Sequence, residues 1–275
     1  ANPNHGVSVG PDFVRAAQKL AMLKTNKQNA FKTKHLNIWC NAKNAYFNTL
    51  NWLNCTDKNL QIEDFHGEMC WIGLDLAKKR DLSAKILLFK KNINGQDHYT
   101  VFSKFYLPEA QVTQQENDTL RTLYSDWYNA GWLNICEGNE MDFRLIRDDI
   151  LDDNNLFAVQ EVAYDPHGAI MISHELQEAG MEPVEIKQHG SNYTIPMNEL
   201  EAAIDSGRIH HDGNPVMAWN IANVVAREYP GGNKMPTKDD IDNKIDGAVG
   251  LMMALSRAML VETSSVYETR GLRIL

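Results

Sequence analysis

Three aspartates stand where a carboxylate is awkward, and together they suggest one chemistry. Asp75 falls within CWIGLDLAKKRDLSAKILLF (residues 70–89), which alternates apolar faces, breaks into Lys78, Lys79, Arg80 and Asp81, and resumes at Ser83. That pattern predicts a strand, a tight polar turn and a second strand. A carboxylate in a strand core is expensive to bury unless a cation or hydrogen-bond donors satisfy it, so Asp75 either faces solvent at a strand edge or holds a metal. Asp165 directly follows the apolar run Leu156 to Tyr164 and precedes Pro166. Parallel strands of an α/β sheet offer their carboxyl ends to ligands at such a point, although an Asp-Pro pair is equally consistent with a plain turn. Asp246 lies in NKIDGAVGLMMALSRAM, bordering a stripe of Ile245, Val249, Met252 and Leu255, with Asp242 one helical turn earlier on the same side. Clustered carboxylates repel one another unless divalent cations sit between them, and hard oxygen ligands suit Mg²⁺ or Mn²⁺. Two such ions can stabilise the attacking and leaving oxygens of an in-line phosphoryl displacement, which is nuclease chemistry.

The elements that must position these residues follow from periodicity and punctuation. Pro11 to Met22 has the stripe of a helix, with Phe13, Ala16, Ala17 and Leu20 on one side. Phe31 to Leu53 is rich in aromatics and asparagine without a clean period, and reads as short helices and loop packed onto a neighbour. Asn94-Gly95 is a hairpin signal between the second strand and a third at Tyr99 to Tyr106. Helices are expected over Gln115 to Ala130 and Asp142 to Leu151, and a fourth strand over Leu156 to Tyr164. A helix over His167 to Ala179, stopped by Gly180, leads to a fifth strand at Pro183 to Lys187, which implies a right-handed parallel crossover. Further helices are expected at Met197 to Ser206 and Val216 to Glu228, a polar loop at Glu228 to Lys238, and a long final helix from Asp239 to Leu260. The fold class is therefore α/β, with a mixed sheet of five or more strands flanked by helices and a helical region ahead of it. In such a sheet the three aspartates can converge at one edge.

The bulk composition sets bounds. The chain has 275 residues, 43% hydrophobic and 23% charged, with a formal net charge of −9. That balance argues against a non-specific polyanion binder, but not against a nuclease whose acidic site is neutralised by metal. Cys40, Cys55, Cys70 and Cys136 lack C-x-x-C spacing, which favours reduced, buried thiols of an intracellular protein over a zinc site or disulfide scaffold. No apolar run approaches a membrane span. The chain opens on ANPNHGVSVG without Met, which reads as mid-protein sequence.

Four ordered motifs carry a family resemblance: WIGLDLAKKRDLSA, YDPHGA, GRIHHDGNPVMAWNIANVV and KIDGAVGLMMAL. They resemble the large subunit of tailed-bacteriophage terminases, in particular the branch whose nuclease ends in a Lys-Ile-Asp signature. The likeness runs from HLNIW to the final helix. It implies a ribonuclease H-like nuclease domain over residues 68–275, using two Mg²⁺ or Mn²⁺ ions held by Asp75, Asp165 and Asp246, with Asp242 a further candidate. Residues 1–67 would be the linker and tail of a packaging ATPase domain. No G-x-x-x-x-G-K-S/T phosphate loop is present, so ATP hydrolysis is not expected of this chain. The resemblance also implies double-stranded DNA as substrate, the ATPase domain, small terminase subunit and portal as partners, and the host cytoplasm as location.

Other residues are more ambiguous. Lys78, Lys79 and Arg80 could follow DNA phosphates or form a solvated turn. Lys238 and Lys244 flank Asp246 and could contact the substrate backbone or balance local charge. Asp81 is expected to stabilise its turn, with support of the metal site as the alternative. His210 and His211 are expected to pack, and Asn214, Trp219 and Asn223 to form an interface between a helix and the sheet. Rival readings are a junction resolvase or transposase-integrase of the same fold, for which GRIHHDGNPVMAW is not expected, and a non-catalytic docking module.

Overall fold

The computed structural model describes residues 10–23, 27, 31, 34–35, 45–77 and 81–261. In chain order its elements begin with α1 (Pro11–Leu23), α2 (Thr49–Asn54) and a 3₁₀ turn (Ile62–Phe65). The strands β1 (Met69–Asp75), β2 (Ser83–Ile93) and β3 (Gln96–Pro108) follow, then α3 (Glu109–Thr113), α4 (Asp118–Asn129), β4 (Asn134–Cys136) and α5 (Phe143–Leu156). A crossover of β5 (Ala158–Tyr164), α6 (Pro166–Glu178) and β6 (Pro183–Glu185) leads to α7 (Gly190–Asp205) and β7 (Ile209–His211). The chain continues through α8 (Pro215–Asn223), β8 (Val225–Glu228), β9 (Lys234–Thr237) and α9 (Asp246–Ala258).

The seven-stranded sheet runs β4-β3-β2-β1-β5-β6, with β7 also on β3. β1, β2 and β3 form an antiparallel meander, while β5 is parallel to β1, β6 to β5, and β4 and β7 to β3. The β2–β3 turn has φ of 54° at Asn94 and 83° at Gly95, the left-handed pair that lets a two-residue hairpin follow the strand twist.

Strand alternation sorts side chains into two cores. Trp71, Ala84, Ile86 and Phe105 pack with the buried faces of α7, α8 and α9. Ile72, Leu74, Leu87 and Tyr106 pack on the other face against Ile146 and Ile150 of α5 and Ile172 and Leu176 of α6. The stretch before β1 joins both: Trp52 enters the first core, and Phe65 meets Phe89 and Phe102 at 4.6 and 5.5 Å in the second. On that second face, Lys85 is buried against Asp153 and Tyr106 donates to Asp149 at 2.6 Å. Lys85, Asp153 and Lys104 line a cleft of about 400 Å³, Lys85 pairing with Asp153 and Lys104 with Asp149 at 2.5 Å.

Four sequence expectations change. The helix expected over Val216 to Glu228 ends at Asn223, because Val224 turns extended (φ −68°, ψ 127°) and hands its carbonyl to Tyr46 N at 2.7 Å. The polar loop expected next is a hairpin: β8 and β9 pair antiparallel around Gly231 and Gly232, which have φ of 91° and 82°. The final helix begins only at Asp246. Before it, Asp240 Oδ1 accepts from Asp242 N at 3.0 Å and Asp239 Oδ1 from Asn243 Nδ2 at 2.9 Å, local bonds that compete with helix. Asp242 therefore lies in a turn, not one helical turn below Asp246. Finally, α7 starts at Gly190 and runs through Pro196, a residue that argues for a later start when only sequence is read.

Candidate active site

The site begins with two neighbouring parallel strands. Leu74 of β1 lies opposite Tyr164 of β5, so the next residues, Asp75 and Asp165, emerge side by side at the carboxyl ends. Asp165 is the N-cap of α6: its Oδ1 accepts from His167 N at 2.8 Å, His167 Nδ1 lies 3.1 Å away, and Pro166 takes the first helical position. This is ordinary capping chemistry. The other oxygen is not used this way. Asp165 is only 4% exposed, and its Oδ2 is buried without a hydrogen-bond partner.

Asp246 reaches these strands because α9 packs on β1 at backbone contact. A Cβ built at Gly73 would lie 1.9 Å from the carbonyl oxygen of Gly250, and one at Gly247 would lie 2.7 Å from the Phe105 ring. Gly73 is two residues before Asp75, and Gly250 one turn after Asp246, so this contact sets the two carboxylates beside each other. The start of α9 is also pinned through its backbone. Buried Asn220 accepts from Gly247 N at 2.9 Å and donates to Val216 O at 2.8 Å, while Asn223 donates to Lys244 O at 3.1 Å. Asn214 caps α8 and donates to Ser103 O at 3.0 Å. The motif GNPVMAWNIANVV thus holds the helix that carries Asp246. An Asn220→Ala protein strands the buried Gly247 N–H, and its urea midpoint should fall by an amount equivalent to about 1–3 kcal/mol. An unchanged midpoint would contradict this role.

The electrostatics are those of crowded carboxylates. Asp75 is pushed well above the usual carboxylate range, first by burial and then by Asp246, Asp165 and Asp81, with Lys238 opposing. Asp246 is pushed up to about 7 by burial and then by Asp81, with Lys238 and Lys244 pulling it down. Both are only half-buried, so the packed walls behind them account for the desolvation while one side stays open. Asp81, which sequence reasoning assigned chiefly to its turn, does accept from Leu82 N at 3.0 Å, and it also faces the other carboxylates. Its Oδ1 is 2.8 Å from the Lys244 ammonium, which also donates to Ile241 O at 3.2 Å. Asp242 is engaged elsewhere, accepting from Asn117 Nδ2 at 2.8 Å. Lys78, Lys79 and Arg80 lie outside the described residues. Among the described residues, no three His, Cys, Asp or Glu side chains already close on one point in ligating geometry.

These residues fit a hard divalent cation. The donors are carboxylate oxygens, burial and then neighbouring carboxylates raise the proton affinity of Asp75 and Asp246, and one buried oxygen of Asp165 has no hydrogen-bond partner. A consequence for the metal-free protein follows from the sign of the shift. With Asp246 raised from 3.8 to about 7, the stability favouring its protonated form is complete below pH ~4 and is lost as pH rises towards about 7. The full shift corresponds to about 4 kcal/mol, and partial solvent access reduces it to roughly 2 kcal/mol. Metal-free Asp246→Asn should therefore be the more stable protein at pH 8, by about that amount, in urea unfolding. A wild type as stable as the variant at pH 8 would refute it.

The histidines behave as expected, as packing residues. His211 stacks on Trp52 (4.2 Å, 11°), accepts from Gly213 N at 3.1 Å, and lies 2.8 Å from Trp52 O through Nε2, which these partners make the donor. His210 pairs with His98 at 3.1 Å. His210 aligns with Thr100, whereas Asp75 aligns through Ala84 with Phe105, so His210 lies roughly 17 Å along β3 from the carboxylates. Sequence reasoning passed over Asn220 and the Gly73–Gly250 contact. The available signal for Asn220 was an amide inside the apolar run PVMAWNIAN.

The seven-stranded mixed sheet flanked by helices has a ribonuclease H-like α/β fold. A family model described as "Terminase large subunit, endonuclease domain" matches residues 1–262, and the chain belongs to that family. It is 43% identical over 285 aligned positions to "Protein YmfN" of Escherichia coli (strain K12), covering 100% of this chain and 63% of that protein. It is 23% identical to the "Terminase, large subunit" of Enterobacteria phage HK97, over 90% of this chain and 48% of that protein. The crystal structure of the HK97 bacteriophage large terminase superposes with a TM-score of 0.67 at 22% identity, over 94% of this chain and 52% of that one. The chain thus spans about half to two thirds of the length of these relatives. Among the described residues, no helix is long and apolar enough to cross a membrane.

Proposed function

We propose that the chain is a divalent-metal-dependent endonuclease domain that cuts concatemeric double-stranded viral DNA during genome packaging. The observation that carries this is the unpartnered, buried Oδ2 of Asp165 at the strand ends shared with Asp75 and approached by Asp246, two carboxylates whose proton affinities are raised by burial and then by neighbouring carboxylates. Asp75, Asp165 and Asp246 would hold two Mg²⁺ or Mn²⁺ ions. When bound, such ions lower the pKa of water to make the nucleophile and neutralise charge on the leaving 3′ oxygen.

The chain's own residues do the rest. Asp165 commits one oxygen to the α6 N-terminus and leaves the other free to ligate. Asn220 and the Gly73–Gly250 contact hold Asp246 in place. Lys244 neutralises Asp81, and Lys238 adds positive charge beside Asp75 and Asp246, where it can meet a phosphate. Lys78, Lys79 and Arg80 follow Asp75 closely in sequence and are assigned to the DNA backbone, so little base preference is expected. Residues 68–275 make up the body of the nuclease unit, with Trp52 and Phe65 of the preceding stretch packed into its two cores. Residues 1–67 lead from a packaging ATPase domain, and the whole assembly works with small terminase subunit and portal in the host cytoplasm.

Nicking of supercoiled plasmid tests the proposal. Wild type with Mn²⁺ should yield open circles ending in 3′ hydroxyls, and EDTA should stop the reaction. No nicking at high protein and Mn²⁺ would favour a docking module instead.

A further inference from the structure

Tyr193, near the start of α7, carries the one phenolic hydroxyl among the buried side-chain groups of the described residues that lack a partner, a set that also includes the indole N–H groups of Trp52, Trp71 and Trp219. It is 1% exposed, its ring packs among apolar side chains, and its hydroxyl is buried with no hydrogen bond. Phenylalanine would fill the same space without stranding a polar atom, so the hydroxyl calls for a reason. The charged groups that act on it are Asp75 and Asp165. A phenol O–H is a donor, and Asp165 Oδ2 is a buried acceptor that lacks one. Tyr193 shares its core with Ala163 of β5, two residues before Asp165, and with Trp71 of β1, so the two complementary orphans belong to elements packed in one core, α7 and the β5–α6 junction.

We propose that Tyr193 is a positioning residue for the acidic site. Its hydroxyl donates to the Asp75–Asp165 pair, directly after a side-chain rotation or through one water, and so fixes the carboxylate orientation that receives a divalent cation. Donors behind a ligating carboxylate set its orientation, and their loss typically weakens metal binding about tenfold or more. The inference rests on the metal-site reading above, and its test separates the two.

The experiment is calorimetric Mn²⁺ titration of the full chain as wild type, Tyr193→Phe and Asp75→Asn, with metal-free thermal unfolding of each. Tyr193→Phe should bind Mn²⁺ about tenfold more weakly than wild type. Its metal-free fold should persist as a cooperative thermal transition, because the ring that fills the core stays and only the hydroxyl goes. Asp75→Asn should lose Mn²⁺ binding. If Tyr193→Phe binds Mn²⁺ as wild type does while Asp75→Asn fails to, the Tyr193 inference is overturned and the metal site stands. A fall in the metal-free Tm of Tyr193→Phe without a change in affinity marks a packing role and overturns it as well. If wild type and Asp75→Asn bind Mn²⁺ alike, or neither binds, the metal-site reading fails and this inference fails with it.

Discussion

Asp75→Asn and Asp246→Asn proteins should each lose Mn²⁺-dependent plasmid nicking by at least about a thousandfold while remaining folded. Each substitution removes a negatively charged oxygen ligand, and metal-borne charge stabilisation is worth several kcal/mol in a phosphoryl displacement, which corresponds to roughly three powers of ten in rate. Folding should survive because the amide is nearly isosteric and because the metal-free site gains from losing a charge: burial and the neighbouring carboxylates raise both Asp75 and Asp246. The two effects have opposite signs, so a variant that is inactive and also less stable at pH 8 would not fit. Asp165→Asn is a weaker probe, since Oδ1 also caps α6. Nicking that persists in both the Asp75 and Asp246 variants would remove the site assignment.

Gly73→Ala should be the most destabilising single-methyl substitution in the core, by about 3 kcal/mol or more, beyond the usual range for added methylenes. The new Cβ would lie 1.9 Å from Gly250 O and 3.1 Å from Ala254 N, which are backbone atoms of a buried helix with no side chain to swing away. Relief requires α9 to move off β1. That movement would carry Asp246 away from Asp75, so Mn²⁺ affinity should fall together with the urea midpoint. Gly250→Ala is a milder companion, because its nearest neighbour is the flexible Ile86 Cγ1 at 3.1 Å. Equal midpoints for wild type and Gly73→Ala would show that the strand–helix contact is looser than described.

The parts legible in sequence were those with a local cause. Asn94-Gly95 needs positive φ at both residues, and Gly180 ends a helix with φ of 82°, so turn and stop could be read from residue type. Asp75 stood out because an acid in an apolar strand is costly wherever that strand lies. What stayed hidden depends on contacts distant in sequence. β4 and β7 are three residues each, too short for a period, and exist because the edge of β3 offers them partners. The run from Val216 to Glu228 reads as one helix in sequence, and what divides it is distant: the bond from Tyr46 N to Val224 O and the pairing of β8 with β9. The last helix looked striped by periodicity, yet residues 247–255 are all buried, because α9 lies between the sheet and the helices α7 and α8. The contact between Gly73 and Gly250 joins positions 177 residues apart, and neither glycine marks a turn.

The central claim is that Asp75, Asp165 and Asp246 hold divalent cations, and anomalous diffraction from crystals soaked in Mn²⁺ tests it most directly. The account predicts two manganese peaks at the carboxyl ends of β1 and β5, with Asp165 Oδ2 among the ligands and Asp246 closing the site from α9. Peaks elsewhere on the molecule, or none at Mn²⁺ concentrations that support nicking, would contradict it.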